Sequence, residues 1–224
     1  MLEAVGGMLS PAIGIAISPV PIMAIILMML SERARTVGLA FVLGWLTAVT
    51  VVVVVFWQVA GLLPGLGEGP GTITGVIQLV LGAALLALAV KRWRHLPAPG
   101  EPHPLPPWLA ALDSLTPARA FGIAALLGGV NPKNLVLAIS AGASLSNAAP
   151  GAGAALAALA VYVVIASLTV AGPPLLRVLA PRTAEAFLTR VREWLGSSSA
   201  IVMAVLLTVL SVVLLSKGLT ALSG

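Results

Sequence analysis

The chain has 224 residues, of which 59% are apolar and only 8% are charged, and its mean hydropathy is +1.11. A soluble domain carries about 25% charged residues, so this composition excludes a water-covered globular protein and predicts an integral membrane protein. The chain contains no cysteine, which excludes disulfides, thiol redox chemistry and cysteine-ligated metals.

Six apolar segments are predicted to cross the membrane, and they lie at Glu3–Leu30, Val37–Gly61, Thr72–Val90, Pro117–Leu145, Gly151–Leu176 and Ser198–Leu215. The first and the fourth segments are longer than a spanning helix needs, and each contains proline near its middle. A stretch rich in proline separates the third segment from the fourth. This organisation predicts a first three-helix repeat over residues 1–91, a cytoplasmic linker over 92–116 and a second three-helix repeat over 117–224.

A shorter amphipathic pattern precedes the sixth segment. In Thr183–Leu195, apolar residues share one helical face, and arginine and glutamate flank it. This spacing predicts a helix that lies in the membrane interface, with a solvated cytosolic helix as the alternative.

The basic residues are strongly one-sided. Ten of the twelve Lys and Arg residues lie in or beside connections on one side of the predicted bundle, whereas Lys217 alone lies on the other. By the positive-inside rule, both termini face outward, and we expect a multi-pass protein of the cytoplasmic (inner) membrane. The net charge of +5 therefore indicates loops that face anionic lipid and not a nucleic-acid partner.

The two halves are related by their broken helices. A shift of 113 residues places Ser18-Pro19 on Asn131-Pro132, and three crossings per half force the halves into opposite orientations. Inverted repeats with paired interrupted helices recur in transporters. The predicted fold is therefore an all-α integral membrane protein with six transmembrane helices in two inverted three-helix repeats, of which helices 1 and 4 are interrupted.

The first interruption is Ser18-Pro19-Val20-Pro21. Proline has no backbone N–H, so Pro19 and Pro21 should break the helix at mid-membrane. The half-helix that follows begins inside the protein and directs its positive dipole end there. We predict that Ser18, Pro19 and Pro21 contribute to substrate binding; the alternative is a packing kink.

The second interruption contains Asn131, Pro132, Lys133 and Asn134, and we predict that all four contribute to substrate binding. Asn131 is expected to cap a half-helix that starts at Pro132. A charge such as Lys133 at bilayer mid-depth costs at least ~2.5–3.5 kcal/mol and indicates a functional site. The spans offer no Asp or Glu partner, so Lys133 is deprotonated, solvated by freed carbonyls and water, or matched by an anionic ligand. We predict an electrostatic anchor whose removal leaves stability unchanged or slightly raised.

Two further polar residues, Gln78 and Tyr162, are predicted to contribute to substrate binding, with interhelical hydrogen bonding as the alternative. Both histidines, His95 and His103, lie in the linker, so we expect no intramembrane metal site and no cofactor. No nucleophile has a base partner within the predicted spans, so we do not expect an enzyme.

With these motifs in view, the chain resembles the LysE transporter superfamily, which has two inverted three-helix repeats, a proline motif early in helix 1 and an Asn-Pro-Lys motif in helix 4. Within that superfamily it looks most like the GAP branch, the peptidoglycolipid-addressing or Sap-like proteins, including the turn at Ser31-Glu32-Arg33. The resemblance implies export across the cytoplasmic membrane, and for this branch the transport of glycolipids or their precursors to the cell envelope.

The leading hypothesis is a secondary transporter or flippase that moves an anionic or amphipathic substrate, foremost a lipid or glycolipid precursor. One alternative is an exporter of amino acids or other small solutes. Another is a membrane protein that does not transport but assists a larger lipid exporter. The expected partners are membrane lipids and a small-molecule substrate, with a homodimer or a larger lipid-export complex as the assemblies left open.

The topology can be tested directly because the chain has no cysteine. A cysteine in place of Glu185 should resist an impermeant thiol reagent added to intact cells, because the basic side faces the cytoplasm. A cysteine in place of Gly151, in an outer connection, should be labelled. If position 185 is labelled from outside and position 151 is protected, the predicted orientation is wrong and the termini face the cytoplasm.

Overall fold

The computed structural model describes residues 2–31, 33–62, 72–96 and 115–223, and the regular elements in these ranges are all α-helices. In chain order, the helices are α1 Leu2–Ala16, α2 Pro19–Met29, α3 Ala34–Leu62, α4 Thr72–Arg94, α5 Pro117–Gly129, α6 Pro132–Asn147, α7 Ala152–Leu179 and α8 Pro181–Ser223. α4 continues to Arg94, beyond the predicted start of the linker 92–116, whose bounds stay a prediction. Most of the linker, including His103, lies outside the described residues.

Four helices could each cross a membrane alone: α3, residues Gly75–Arg94 of α4, α7, and residues Ala200–Leu222 of α8. The pairs α1–α2 and α5–α6 meet the same test only together, and they bend by 57° and 63° at their breaks. Counting each bent pair as one span gives up to six crossings. The all-helical, multi-pass character and both predicted interruptions are confirmed, whereas the inverted orientation of the halves stays a prediction.

The two interruptions occupy equivalent positions. The shift of 113 residues places Ala16, the end of α1, on Gly129, the end of α5, and it places Pro19 on Pro132. The first half-helix of each pair packs on the long helix of the other half, α1 on α7 and α5 on α3. In addition, α1 packs on α6. The halves are therefore interlocked, and this packing brings α6 against the break between α1 and α2.

Glycines permit the closest helix contacts around the bent pairs. A Cβ at Gly44 of α3 would clash with the carbonyl oxygen of Phe121 in α5, and one at Gly142 of α6 would lie 2.6 Å from the backbone nitrogen of Trp57 in α3. On α1, a Cβ at Gly14 would lie 2.9 Å from Leu137 of α6. Small residues at helix crossings let backbones approach in membrane proteins, where van der Waals packing drives association.

The main core lies where α1, α2, α3, α5, α6 and α7 meet. Its largest fully buried apolar side chains are Trp45 and Phe41 of α3, and the indole N–H of Trp45 donates to the carbonyl of Ala166 in α7 over 3.4 Å. Large apolar side chains cover much of the outer surface, including Leu39, Val51, Val55, Val164 and Leu168. Such an exterior fits hydrocarbon and not water.

A second unit is the antiparallel pair of α4 and α8. Gly75 lies against Gly218 near one end of this pair, and the indole N–H of Trp93 donates to the Thr208 hydroxyl over 3.1 Å near the other. A small apolar cluster of α4 and α8 side chains joins the pair to Val136 of α6. The principal packing partner of α4 is α8.

The predicted interfacial segment Thr183–Leu195 is the first part of α8, which continues without a break to Ser223. Gly196 and the serines that follow have low helix propensity, but loss of backbone hydrogen bonds at membrane depth is more costly, so the helix persists. Leu188 and Leu195 pack into the main core, whereas Phe187 is 54% exposed. The apolar face therefore packs largely on protein, and its depth in the membrane stays a prediction.

The glycine contacts predict a stability ranking. Gly44→Ala and Gly142→Ala should each lower the free energy of unfolding by about 1–3 kcal/mol, because the new methyl group meets backbone atoms that shift only if a helix moves. Gly122→Ala on α5 is the matched control, since a Cβ there meets no atom within 4 Å and alanine favours a helix. Thermal unfolding in detergent measures the ranking, and equal melting temperatures for all three variants would contradict it.

Candidate functional site

The break between α1 and α2 leaves carbonyl groups without their helical donors. Pro19 and Pro21 cannot donate to Ile15 and Ile17, the acceptors four residues earlier. Ser18 is extended at φ −124° and ψ 98°, and its N–H donates to Ala16 over 3.0 Å. The carbonyl of Gly14 therefore also lacks the partner that a continuous helix would provide. Three carbonyls at the end of α1 thus need donors from elsewhere.

The break between α5 and α6 has a similar cause. Asn131 caps α6 as predicted, since its side chain accepts from the backbone N–H of Lys133 over 3.0 Å, and Pro132 occupies the first helical position. Because Pro132 has no N–H, the carbonyl of Gly128 in α5 loses its helical partner.

Lys133 reaches across to the other break. Its side chain is 2% exposed, and Nζ donates to the carbonyl oxygens of Gly14 over 2.6 Å and of Ile17 over 3.2 Å. The backbone of Lys133 lies at the positive end of α6, but its ammonium lies at the negative, carboxyl end of α1. Freed carbonyls therefore accept hydrogen bonds from this amine, as expected if they solvate its charge.

Asn134, the next residue, caps the half-helix that ends at the break in its own half. Its Nδ2 donates to the carbonyls of Leu127 over 3.1 Å and Gly128 over 3.3 Å at the end of α5. One turn of α6 thus caps both interrupted half-helices, α1 through Lys133 and α5 through Asn134.

Thr169 of α7 also caps α1, and the sequence analysis did not identify it. Its Oγ1 donates to the carbonyl of Ala16 over 2.6 Å. The available signal was spacing: Thr169 follows Tyr162 by seven residues, which places both on one face of α7. Threonine in an apolar helix often bonds within its own helix, so composition alone does not single it out.

Several buried polar atoms at the first break and on α6 and α7 have no hydrogen-bond partner. They are Oγ of Ser18, Oδ1 of Asn134, the hydroxyl of Tyr162 and Oγ of Ser167, all in side chains that are at least nine-tenths buried. Ser18 adjoins Ile17, Asn134 adjoins Lys133, and Tyr162 shares a face with Thr169. Buried polar groups are nearly always paired in proteins, so this set requires an explanation. Ser167 also escaped the sequence analysis.

The structure does not bring Gln78 to these residues. Gln78 lies on α4, which packs mainly on α8, and no described hydrogen bond joins it to either break. Its Oε1 is buried and has no partner. A role for Gln78 in substrate binding stays a prediction.

Metal ligands are not grouped in the part of the chain that the structure describes. Among those residues, no cluster of three or more His, Asp or Glu side chains could hold a metal ion. The donors assembled at the breaks are an ammonium, a carboxamide and hydroxyl groups, and these bind carbonyl or anionic oxygens.

Comparison with protein families gives a match over nearly the whole chain. The family model described as Sap, sulfolipid-1-addressing protein (SfLAP) matches residues 8–220. Comparison with curated proteins and with solved structures gives no match. The family match confirms the resemblance to Sap-like proteins, while membership of the LysE superfamily stays a prediction.

The caps predict a change in stability opposite to the one that the sequence suggested. Lys133→Met should lower the free energy of unfolding by about 1–3 kcal/mol, because two buried carbonyls lose a charged donor. Asn134→Leu should be destabilising for the same reason at the end of α5. Asn147→Leu, at the exposed end of α6, is the control and should leave stability nearly unchanged. Thermal unfolding in detergent tests the order, and a stabilised Lys133→Met protein would restore the expectation of an uncompensated charge.

Proposed function

The chain belongs to the family of Sap, sulfolipid-1-addressing proteins, and from this premise we propose that it moves an anionic or amphipathic lipid, or a glycolipid precursor, across the cytoplasmic membrane. The family name connects the chain with lipid addressing, and a multi-pass helical bundle provides a setting within the membrane. In many transporters, interrupted helices form the site through which the substrate is translocated.

The observation that carries the proposal is a set of unpartnered buried polar atoms, of which Ser18 lies at the first break and Asn134 at the second. An unsatisfied buried donor or acceptor costs about 1–3 kcal/mol. The hydroxyls of Ser18, Tyr162 and Ser167 are all buried without a partner in an otherwise apolar bundle. A ligand with acceptor oxygens would pair with them, so the arrangement favours a substrate with a polar head group.

Lys133 favours an anionic head group. An ammonium has three N–H donors, and the carbonyls of Gly14 and Ile17 use two of them. The third donor and the positive charge are available to a sulfate, phosphate or carboxylate oxygen. Among the described residues, the acidic side chains of Glu3, Glu185 and Glu193 are exposed and lie away from the breaks.

The proposed binding set therefore consists of Ser18, Pro19 and Pro21 from the first break and Asn131, Pro132, Lys133 and Asn134 from the second, with Tyr162 from α7. The prolines act by interrupting the helices, and the polar side chains act by bonding. We place transport ahead of catalysis because, in the described residues, no carboxylate or imidazole pairs with the buried hydroxyls of Ser18, Tyr162 or Ser167.

The exterior is compatible with a lipid substrate. Apolar side chains line the outside of the helices that carry the breaks, including Ile13 and Ile17 beside the first break and Leu126 and Val130 beside the second. Acyl chains could stay in the bilayer against such a surface while the head group passes the breaks.

Reconstitution tests the proposal. Vesicles that contain the protein should translocate a fluorescent sulfated glycolipid, and Lys133→Ala should reduce the rate to that of empty vesicles because the anionic group loses its anchor. Arg190→Gln removes an exposed positive charge on α8 and is the control, with little change expected.

Two other results would contradict lipid transport. Movement of a labelled amino acid without movement of the lipid would support the small-solute exporter. A folded protein that moves neither substrate would support an assembly partner of a larger lipid exporter.

A further inference from the structure

The end of α1 resembles an ion site whose cation is supplied by the protein itself. In transporters with broken helices, unwound carbonyls and the carboxyl ends of half-helices coordinate the coupling cation. Here the freed carbonyls of Gly14 and Ile17 accept hydrogen bonds of 2.6 Å and 3.2 Å from Nζ of Lys133. An ammonium thus occupies the position that a metal cation takes in such sites.

We propose that Lys133 is the ion-coupling site of this protein and that the ion is a proton. The break between α1 and α2 is closed while Nζ is protonated, and it opens when the proton leaves. The inference rests on the proposed transport function, for which it names the source of energy.

The carbonyls around the breaks favour a proton over a sodium ion. Sodium needs several oxygen ligands at once, but most carbonyls at the breaks already have side-chain donors: Lys133 for Gly14 and Ile17, Thr169 for Ala16, and Asn134 for the end of α5. A metal ion would have to displace an ammonium. Proton exchange at Nζ requires no exchange of carbonyl ligands.

No other charged group in the described part of the chain faces Nζ. The titratable side chains on the surrounding helices whose exposure is described, apart from Tyr162, are all exposed. They are Glu3 of α1, Arg35 of α3, Lys91, Arg92 and Arg94 of α4, Arg119 of α5, Arg177 of α7, and Arg182, Glu185, Arg190, Arg192 and Glu193 of α8. Tyr162 of α7 is buried, and its hydroxyl has no partner. Proton loss from Lys133 therefore removes the one described charge at this position.

The step is a simple proton transfer. An N–H bond of the ammonium breaks, its electron pair stays on Nζ, and the proton passes to water that enters as the break opens. Charge-assisted hydrogen bonds are about twice as strong as neutral ones, so the carbonyls of Gly14 and Ile17 lose much of their stabilisation. The negative end of α1 also loses its counter-charge. Reprotonation restores the closed break.

A thiol at the break reports this opening without any lipid. Ser18→Cys introduces a thiol at a buried position of an otherwise cysteine-free chain. Its rate of reaction with a small water-soluble thiol reagent is divided by the rate for Gly153→Cys, where an added Cβ meets no atom within 4 Å. The ratio should rise with pH by up to about tenfold per pH unit, the slope for release of one proton.

Three variants in the Ser18→Cys background distinguish opening that depends on a proton at Lys133 from destabilisation of the break that does not depend on pH. Lys133→Arg stays charged, so the ratio should be low and independent of pH. Lys133→Met carries no proton, so the ratio should be high and independent of pH. Thr169→Val removes a cap whose hydroxyl does not titrate in this pH range. The ratio of thiol reaction rates should therefore rise at every pH, and its dependence on pH should keep the same slope. A pH slope that persists in Lys133→Arg, or a flat profile with native Lys133, would overturn the proposal.

Lipid movement by the protein with native Ser18, measured in parallel vesicles, distinguishes the two proposals. If that protein transports the sulfated glycolipid while the thiol reactivity of Ser18→Cys does not change with pH, proton coupling alone is overturned. If the thiol reactivity titrates through Lys133 and the protein with native Ser18 moves no lipid, the transport function is overturned and the proton site stays in place.

Discussion

Backbone polar groups at membrane depth must find partners within the protein, because hydrocarbon offers none. This constraint governs the centre of the structure. Pro19, Pro21 and Pro132 remove donors from two bent helices, and side chains from other helices bond the freed carbonyls of Gly14, Ile17 and Gly128. The prolines and the polar caps therefore form one system, since the breaks would be too costly without the caps.

The caps couple the two halves unequally. Lys133 and Asn134 lie side by side on α6, yet one bonds α1 and the other bonds α5. The equivalent positions of the first half hold Val20 and Pro21, which have no side-chain donors. The two halves thus share a backbone plan, whereas the donors come from the second half. A movement of α6 would change the bonding at both breaks at once.

The sequence was sufficient for the helices and for the position of both breaks, because apolar length and proline act locally. It also singled out Lys133, since a charge in an apolar segment stands out. It could not predict where Nζ points, because that depends on how α1 packs against α6 through contacts such as Gly14 with Leu137. Thr169 and Ser167 were missed for the same reason: their roles depend on the neighbouring helix. Gln78 stood out chemically, but tertiary packing placed it against α8 instead.

The interlocked halves have a consequence for biosynthesis. The bond from Lys133 to Gly14 joins residues 119 positions apart, and Thr169 follows Ala16 by 153 positions. At about 5–20 residues per second, the ribosome needs about 6–24 s to add 119 residues, so α1 is made well before its caps. During that interval, the nascent first half carries open carbonyls that bare lipid does not satisfy. Its insertion must therefore be completed in a hydrated or protein-lined environment, and only the arrival of α6 and α7 allows α1 to enter the bilayer fully.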